Sequence, residues 1–86
     1  MQKVNIEKIA KEGVKIYERL RKRYDPKEKG KFLAIDTKTQ EVYLGNSSAE
    51  ALVLARQKNP NAIFYIIKIG FDTAETVAKS YLQNDI

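Results

Sequence analysis

The chain contains no cysteine and no histidine. Without cysteine there is no disulfide framework and no thiolate metal site. Without histidine the commonest metal ligand is gone, together with the usual general base near neutral pH and any imidazole-dependent triad. Only a carboxylate metal site or a lysine-based mechanism stays open. The four glycines (Gly13, Gly30, Gly45 and Gly70) are scattered, so no glycine-rich loop is available to cradle a phosphate. No apolar run approaches the roughly 18 residues of a membrane span. The opening residues, MQKVNIEKIA, lack an apolar core of signal-peptide length. These absences lead to the expectation of a cytoplasmic protein with no cofactor, no metal, no membrane association and no small-molecule substrate.

What is present begins with one stretch, Ala62 to Gly70 (AIFYIIKIG), the longest run of β-branched and aromatic residues. As a strand it is apolar on both faces: Ile63, Tyr65, Ile67 and Ile69 point one way, Phe64 and Ile66 the other. A strand with two apolar faces needs cover on both sides. At 86 residues the chain is one domain, hiding roughly 60–65% of its unfolded-state surface, so the supply of cover is limited.

Asn5 to Tyr24 reads as a helix. Ile6, Ile9, Ala10, Gly13, Ile16, Tyr17, Leu20 and Tyr24 gather into one apolar stripe about 120° wide. Asn5 is placed to cap the first turn, and Asp25-Pro26 stops the helix because a residue before proline is pushed out of the helical region. Gly13 costs the helix about 1 kcal/mol against alanine. Either it is drift, or another backbone approaches closely there. Across from the stripe lie Lys8, Lys11, Lys15, Arg19 and Lys22, with Glu7–Lys11 and Glu18–Lys22 at i, i+4 pairing distance. Residues 1–31 carry eleven Lys or Arg against five Asp or Glu, and residues 32–86 carry five against six. The basic character belongs to the N-terminal third. A solvated outer face accounts for it first; the functional alternative is a ridge for an acidic partner or a phosphate backbone.

After a polar linker (Asp25 to Lys31), Lys31 to Asp36 and Glu41 to Leu44 read as two strands of a hairpin joined by Thr37 to Gln40, a loop with no strong two-residue turn signal. Ser47 and Glu50 have capping-box spacing, opening a helix that ends near Lys58 with Ala51, Leu52, Leu54 and Ala55 inward and Val53 outside. After the central strand, Asp72 with Glu75 is placed to cap a third helix over 72–84, with Ala74, Val77, Ala78, Tyr81 and Leu82 as its stripe. The expectation is therefore a single small α+β domain, ordered helix-strand-strand-helix-strand-helix. Its three-stranded sheet, mixed or antiparallel, follows the order 2-1-3 or sets the third strand beside the second. Its parts are a basic amphipathic helix at 1–25, a strand-strand-helix-strand core at 30–70 and the C-terminal helix at 72–84.

If both long helices chose one sheet face, the other would stay bare and call for a partner, most simply a second copy of the chain. On that reading Tyr43, Phe64, Tyr65 and Ile66 make sheet-side contacts, and Tyr81 and Leu82 contribute if the last helix docks. Catalysis is not expected, because the carboxylates read as surface pairs, caps (Glu50, Asp72, Glu75) or, for Asp36, a hairpin flank. Among RNA-binding folds, KGKFLAI around Phe32 has the basic, glycine and aromatic start of an RRM strand. It lacks the second aromatic and sits on the wrong strand. The GxxG of KH domains is absent. A nucleic-acid reading rests on Lys8, Lys11, Lys15, Arg19 and Lys22.

The segments GKFLAID, VYLG, SSAEAL, ALVLAR, Pro60 and IFYIIKIG together resemble a family of short prokaryotic proteins, common in cyanobacteria and archaea, that share a domain of unknown function. The likeness covers Gly30 to Gly70, about half the chain. It implies an antitoxin-like or accessory role beside a protein partner encoded nearby, and it carries over no catalytic residue.

Overall fold

The computed structural model describes residues 5–71 and the segment 73–78. Helix α1 (Ile6–Tyr24) leads into strands β1 (Phe32–Asp36) and β2 (Val42–Gly45), then helix α2 (Ser48–Lys58) and strands β3 (Ile63–Lys68) and β4 (Thr73–Ala78). The chain is a small α+β domain whose sheet runs β2-β1-β3-β4, with antiparallel neighbours throughout. Of the two orders expected, the first three strands take 2-1-3, with the α2 crossover returning β3 antiparallel to the open side of β1.

The local signals act much as their chemistry dictates. The Asn5 side chain accepts from the Lys8 amide at 3.0 Å and caps α1. Ser47 Oγ accepts from the Glu50 amide at 3.1 Å, while the Glu50 carboxylate accepts from Asn46 N at 2.8 Å, one residue ahead of the usual capping-box partner. The hairpin turn is made without glycine or asparagine: Gln40 adopts φ 67°, and the Asp36 carboxylate accepts from the amides of Lys38 (3.0 Å) and Thr39 (3.4 Å). The missing turn signal was thus an aspartate folding its own loop.

The predicted helix over 72–84 is corrected. Residues 73–78 form β4, paired to β3 from Ile63↔Ala78 to Lys68↔Thr73. An apolar strand buried on both faces would otherwise leave a row of unpaired amides and carbonyls along its outer edge. A segment with three β-branched residues in six, reached by a short turn, satisfies them. Residues 79–84, with Tyr81 and Leu82, lie outside the described residues.

The two helices take opposite faces of the sheet. α1 packs Ile16 and Tyr17 onto Leu33, Ile35, Tyr65, Ile67 and Ile69, with Val42 and Leu44 at the border. α2 packs Ala51 and Ala55 onto Ala34, Phe64 and Ile66, with Phe32 and Tyr43 alongside. The alternation of the strands assigns each residue to its layer. On the α2 side the alanines bring helix and sheet close together. That narrow contact leaves Leu54, expected inward, 41% exposed beside Val53 at 56%. Gly13 is buried against the sheet, and a Cβ there would meet the Tyr65 ring and lie 2.8 Å from Tyr65 Cβ. The glycine does mark a close approach, but of a side chain and not of another backbone.

Candidate functional site

The five basic residues of α1 (Lys8, Lys11, Lys15, Arg19 and Lys22) are all exposed, and they alternate around the helix with the residues that pack on the sheet. Packing Ile16 and Tyr17 inward forces this face outward, because one 3.6-residue period sets both. Among the described residues none of the five makes an ion pair, nor do Arg23 and Lys27, whereas Arg21 and Lys31 are paired. Arg21 Nη1 lies 3.9 Å from Glu18 and Arg21 Nε 3.6 Å from Asp25, and Lys31 Nζ lies 2.7 Å from Glu28. Glu18 therefore turns to Arg21 and not to Lys22, and Glu7 makes no ion pair with Lys11 among the described residues. Lys15 and Arg19 also line an open cleft of about 620 Å³ between α1 and the β1–β2 turn, together with Glu12, Glu18, Val14 and Ile16. The Arg19 guanidinium spans it to donate to Gln40 Oε1 at 2.8 Å.

A second constellation lies at the β1–β2 turn. Asp36 is 2% exposed, and its Oδ2 accepts from Asn59 Nδ2 at 3.1 Å. Glu41 Oε1 accepts from the Tyr43 hydroxyl at 2.9 Å and from Asn59 Nδ2 at 3.3 Å. The hydrogen bond from Tyr43 is the main influence holding the Glu41 carboxyl below its usual range, against a smaller opposing effect of desolvation. Burial of its ring, and then the bond to Glu41, push the Tyr43 hydroxyl up to about 12. Burial raises Tyr65 as well. The group ties the β1–β2 turn to the C-terminal end of α2: Asp36 is taken up by loop amides and Asn59, and Glu41 by Tyr43 and Asn59.

A phenol with a raised folded-state pKa holds its proton longer in the native state than in the unfolded chain, so its stability contribution is complete below about pH 10 and is lost as pH rises toward 12. Alkaline denaturation should steepen in that window, and Tyr43→Phe should remove part of the loss, with Tyr65 keeping the remainder. Unfolding midpoints measured from pH 8 to about 12 check this; identical pH profiles for the two proteins would contradict it.

The sheet-side contact residues need correction. Phe64 is fully buried, Ile66 is 3% and Tyr65 6% exposed, each inside a layer built by the chain's own helices. Opposite placement of α1 and α2 removes the bare face on which the partner argument stood. Tyr43 is half-buried, with its ring edge-on to Phe64 at 6.4 Å. Tyr81 and Leu82 are outside the described residues.

One cluster escaped sequence reading. Phe71 is 48% exposed, with Lys29 Nζ at 5.3 Å and Lys68 Nζ at 4.6 Å from its ring centroid. The only trace in the sequence is the pair of glycines, Gly30 beside Lys29 and Gly70 beside Phe71, spaced far apart along the chain. Among the described residues no group of three or more Asp, Glu, His or Cys is placed to hold a metal ion, and no helix is long and apolar enough to cross a membrane. No protein-family model, curated protein or solved structure matches the chain.

Proposed function

We propose that this chain is a non-catalytic binding module that takes nucleic acid on the basic face of α1. The observation that carries the reading is the set of five exposed cations, Lys8, Lys11, Lys15, Arg19 and Lys22, free of ion pairs among the described residues. They stand on a helix anchored to the sheet through its opposite face. A rigid row of ammonium and guanidinium groups matches a phosphate backbone and releases its counterions on contact. The absence of a catalytic role is supported by the polar cluster at the β1–β2 turn, whose carboxylates hold loop amides and a helix end.

The test is binding of a labelled DNA duplex by fluorescence anisotropy as salt is varied. With about five phosphate contacts, affinity should fall about 10²- to 10³-fold between roughly 50 and 200 mM salt. Lys11→Glu, Lys15→Glu and Arg19→Glu together take the formal net charge from +5 to −1 and should abolish binding with the far-UV spectrum unchanged. Equal binding by this variant, or no binding by the natural chain at the lower salt, rejects the reading.

A second reading keeps the protein-interaction role, antitoxin-like or accessory, with a partner encoded nearby or a second copy of the chain in the cytoplasm. Val53 and Leu54, adjacent and exposed on α2, favour it over the sheet face. Co-purification with the neighbouring gene product that Val53→Ser with Leu54→Ser abolishes would support it.

A further inference from the structure

We propose that the corner where residues 25–31 meet the end of β3 binds one nucleotide of a single-stranded nucleic acid, its base stacked on Phe71 and its phosphate held between Lys29 and Lys68. The proposal rests on the nucleic-acid reading above and names a substrate form and a second contact point for it.

The corner is built, not incidental. Gly30 N donates to Ile69 O at 2.9 Å, and Ile69 N donates to Lys31 O at 2.8 Å. Gly70 N donates to the Tyr17 hydroxyl at 3.2 Å, tying the same point to α1. Gly30 and Gly70 stand at φ 93° and 83°, backbone that side chains beyond hydrogen disfavour. The space over Gly70 is taken by the Lys29 stem, since a Cβ there would come within 2.7 Å of Lys29 Cγ. The two left-handed residues thus set Lys29 beside Phe71. Pairing of Lys68 with Phe32 places the second lysine within 5.8 Å of the Phe32 ring and closer still to Phe71.

The result is an aromatic ring half in water with two ammonium groups gathered on it, while the neighbouring Ile69 is fully buried. Gathering like charges is unfavourable until an anion arrives between them. A ring contact with an ammonium at an exposed site is weaker than a stacked base. A base can therefore displace a lysine from Phe71, and the freed ammonium meets the phosphate that accompanies the base. Single strands offer bare base faces and duplexes do not, which selects the single strand.

The experiment compares a labelled oligothymidylate with a duplex of equal length, using the natural chain, Phe71→Ala, Phe71→Trp and Lys29→Gln with Lys68→Gln. Phe71→Ala should weaken single-strand binding about tenfold or more, leave duplex binding within about twofold, and be rescued by Phe71→Trp. The double lysine variant should lower the single-strand salt slope by about 0.7 for each phosphate it no longer neutralises. Unchanged single-strand affinity in Phe71→Ala, or equal loss on both ligands, overturns the corner. If Phe71→Ala is silent while the triple α1 variant binds neither ligand, the corner fails and the α1 reading stands. If Phe71→Ala weakens the single strand and the triple variant binds as the natural chain does, the α1 reading fails and the corner stands. Binding of neither ligand by the natural chain overturns both.

Discussion

Phe64→Ala is expected to lower the free energy of unfolding by about 3–5 kcal/mol, the usual cost of deleting a buried phenyl group and leaving its cavity. Phe64 is fully enclosed among Ala34, Ala51, Ala55 and Ile66, and its ring meets Tyr43 edge-on with an interplanar angle of 86°. The surrounding alanines each carry a single methyl group with no rotatable bond to carry it into the void, which places the loss toward the upper end. A domain of this length has about 4–13 kcal/mol in total. The variant should therefore lose between about a quarter and all of that stability, with a urea midpoint well below that of the natural chain. Phe71→Ala, at an exposed position, should stay within about 0.5 kcal/mol. The pair separates the two accounts of Phe64. A residue reserved for a partner would be exposed in the lone chain, and its removal would cost under about 1 kcal/mol and change association instead.

Gly13→Ala should destabilise by about 1–3 kcal/mol, the range for overpacking a filled core. Helix propensity alone predicts the opposite, a gain of about 1 kcal/mol. The contact decides the sign. An added methyl would meet Cγ and Cδ2 of Tyr65 and stand 2.8 Å from its Cβ. The Cβ is fixed to the backbone of β3, so no rotation of the tyrosine makes room. The helix has to lift off the sheet, loosening the packing of Ile16 and Tyr17 on either side of the Tyr65–Ile67 row. Urea unfolding with an unchanged m-value measures it. A rise in stability would mean that α1 rides higher than this packing has it.

Much of the fold was legible because its signals are local. The stripe from Ile6 to Tyr24, the Asn5 and Ser47 caps and the alternation around Phe64 each depend on residues within a few positions of one another. Residues 73–78 were not legible, since Ala74, Val77 and Ala78 fit a helical stripe as well as a strand. What chose the strand was the open edge of β3, which the segment itself does not encode. Leu54 and Val53 misled in the same way: periodicity marks an apolar arc but not how much of it a close alanine contact will cover. The basic face of α1 was visible as spacing. The Phe71 corner was not, because Lys29, Lys68 and Phe71 come together only when the 25–31 turn closes on the end of β3.

By itself the sequence settled the helix and strand character of residues 5–68, the hairpin pairing of the first two strands and the basic side of the first helix, and it narrowed the third strand to a place beside β1 or β2. Those follow from residue periodicity, capping and the limits on chain connection. Only the tertiary structure decided that α1 and α2 lie on opposite faces, and so that the apolar strand at 63–68 is enclosed within one chain. The reason is that both faces of that strand are equally greasy. No local preference tells a helix which to take, and the choice is made by the total burial that only the assembled sheet offers.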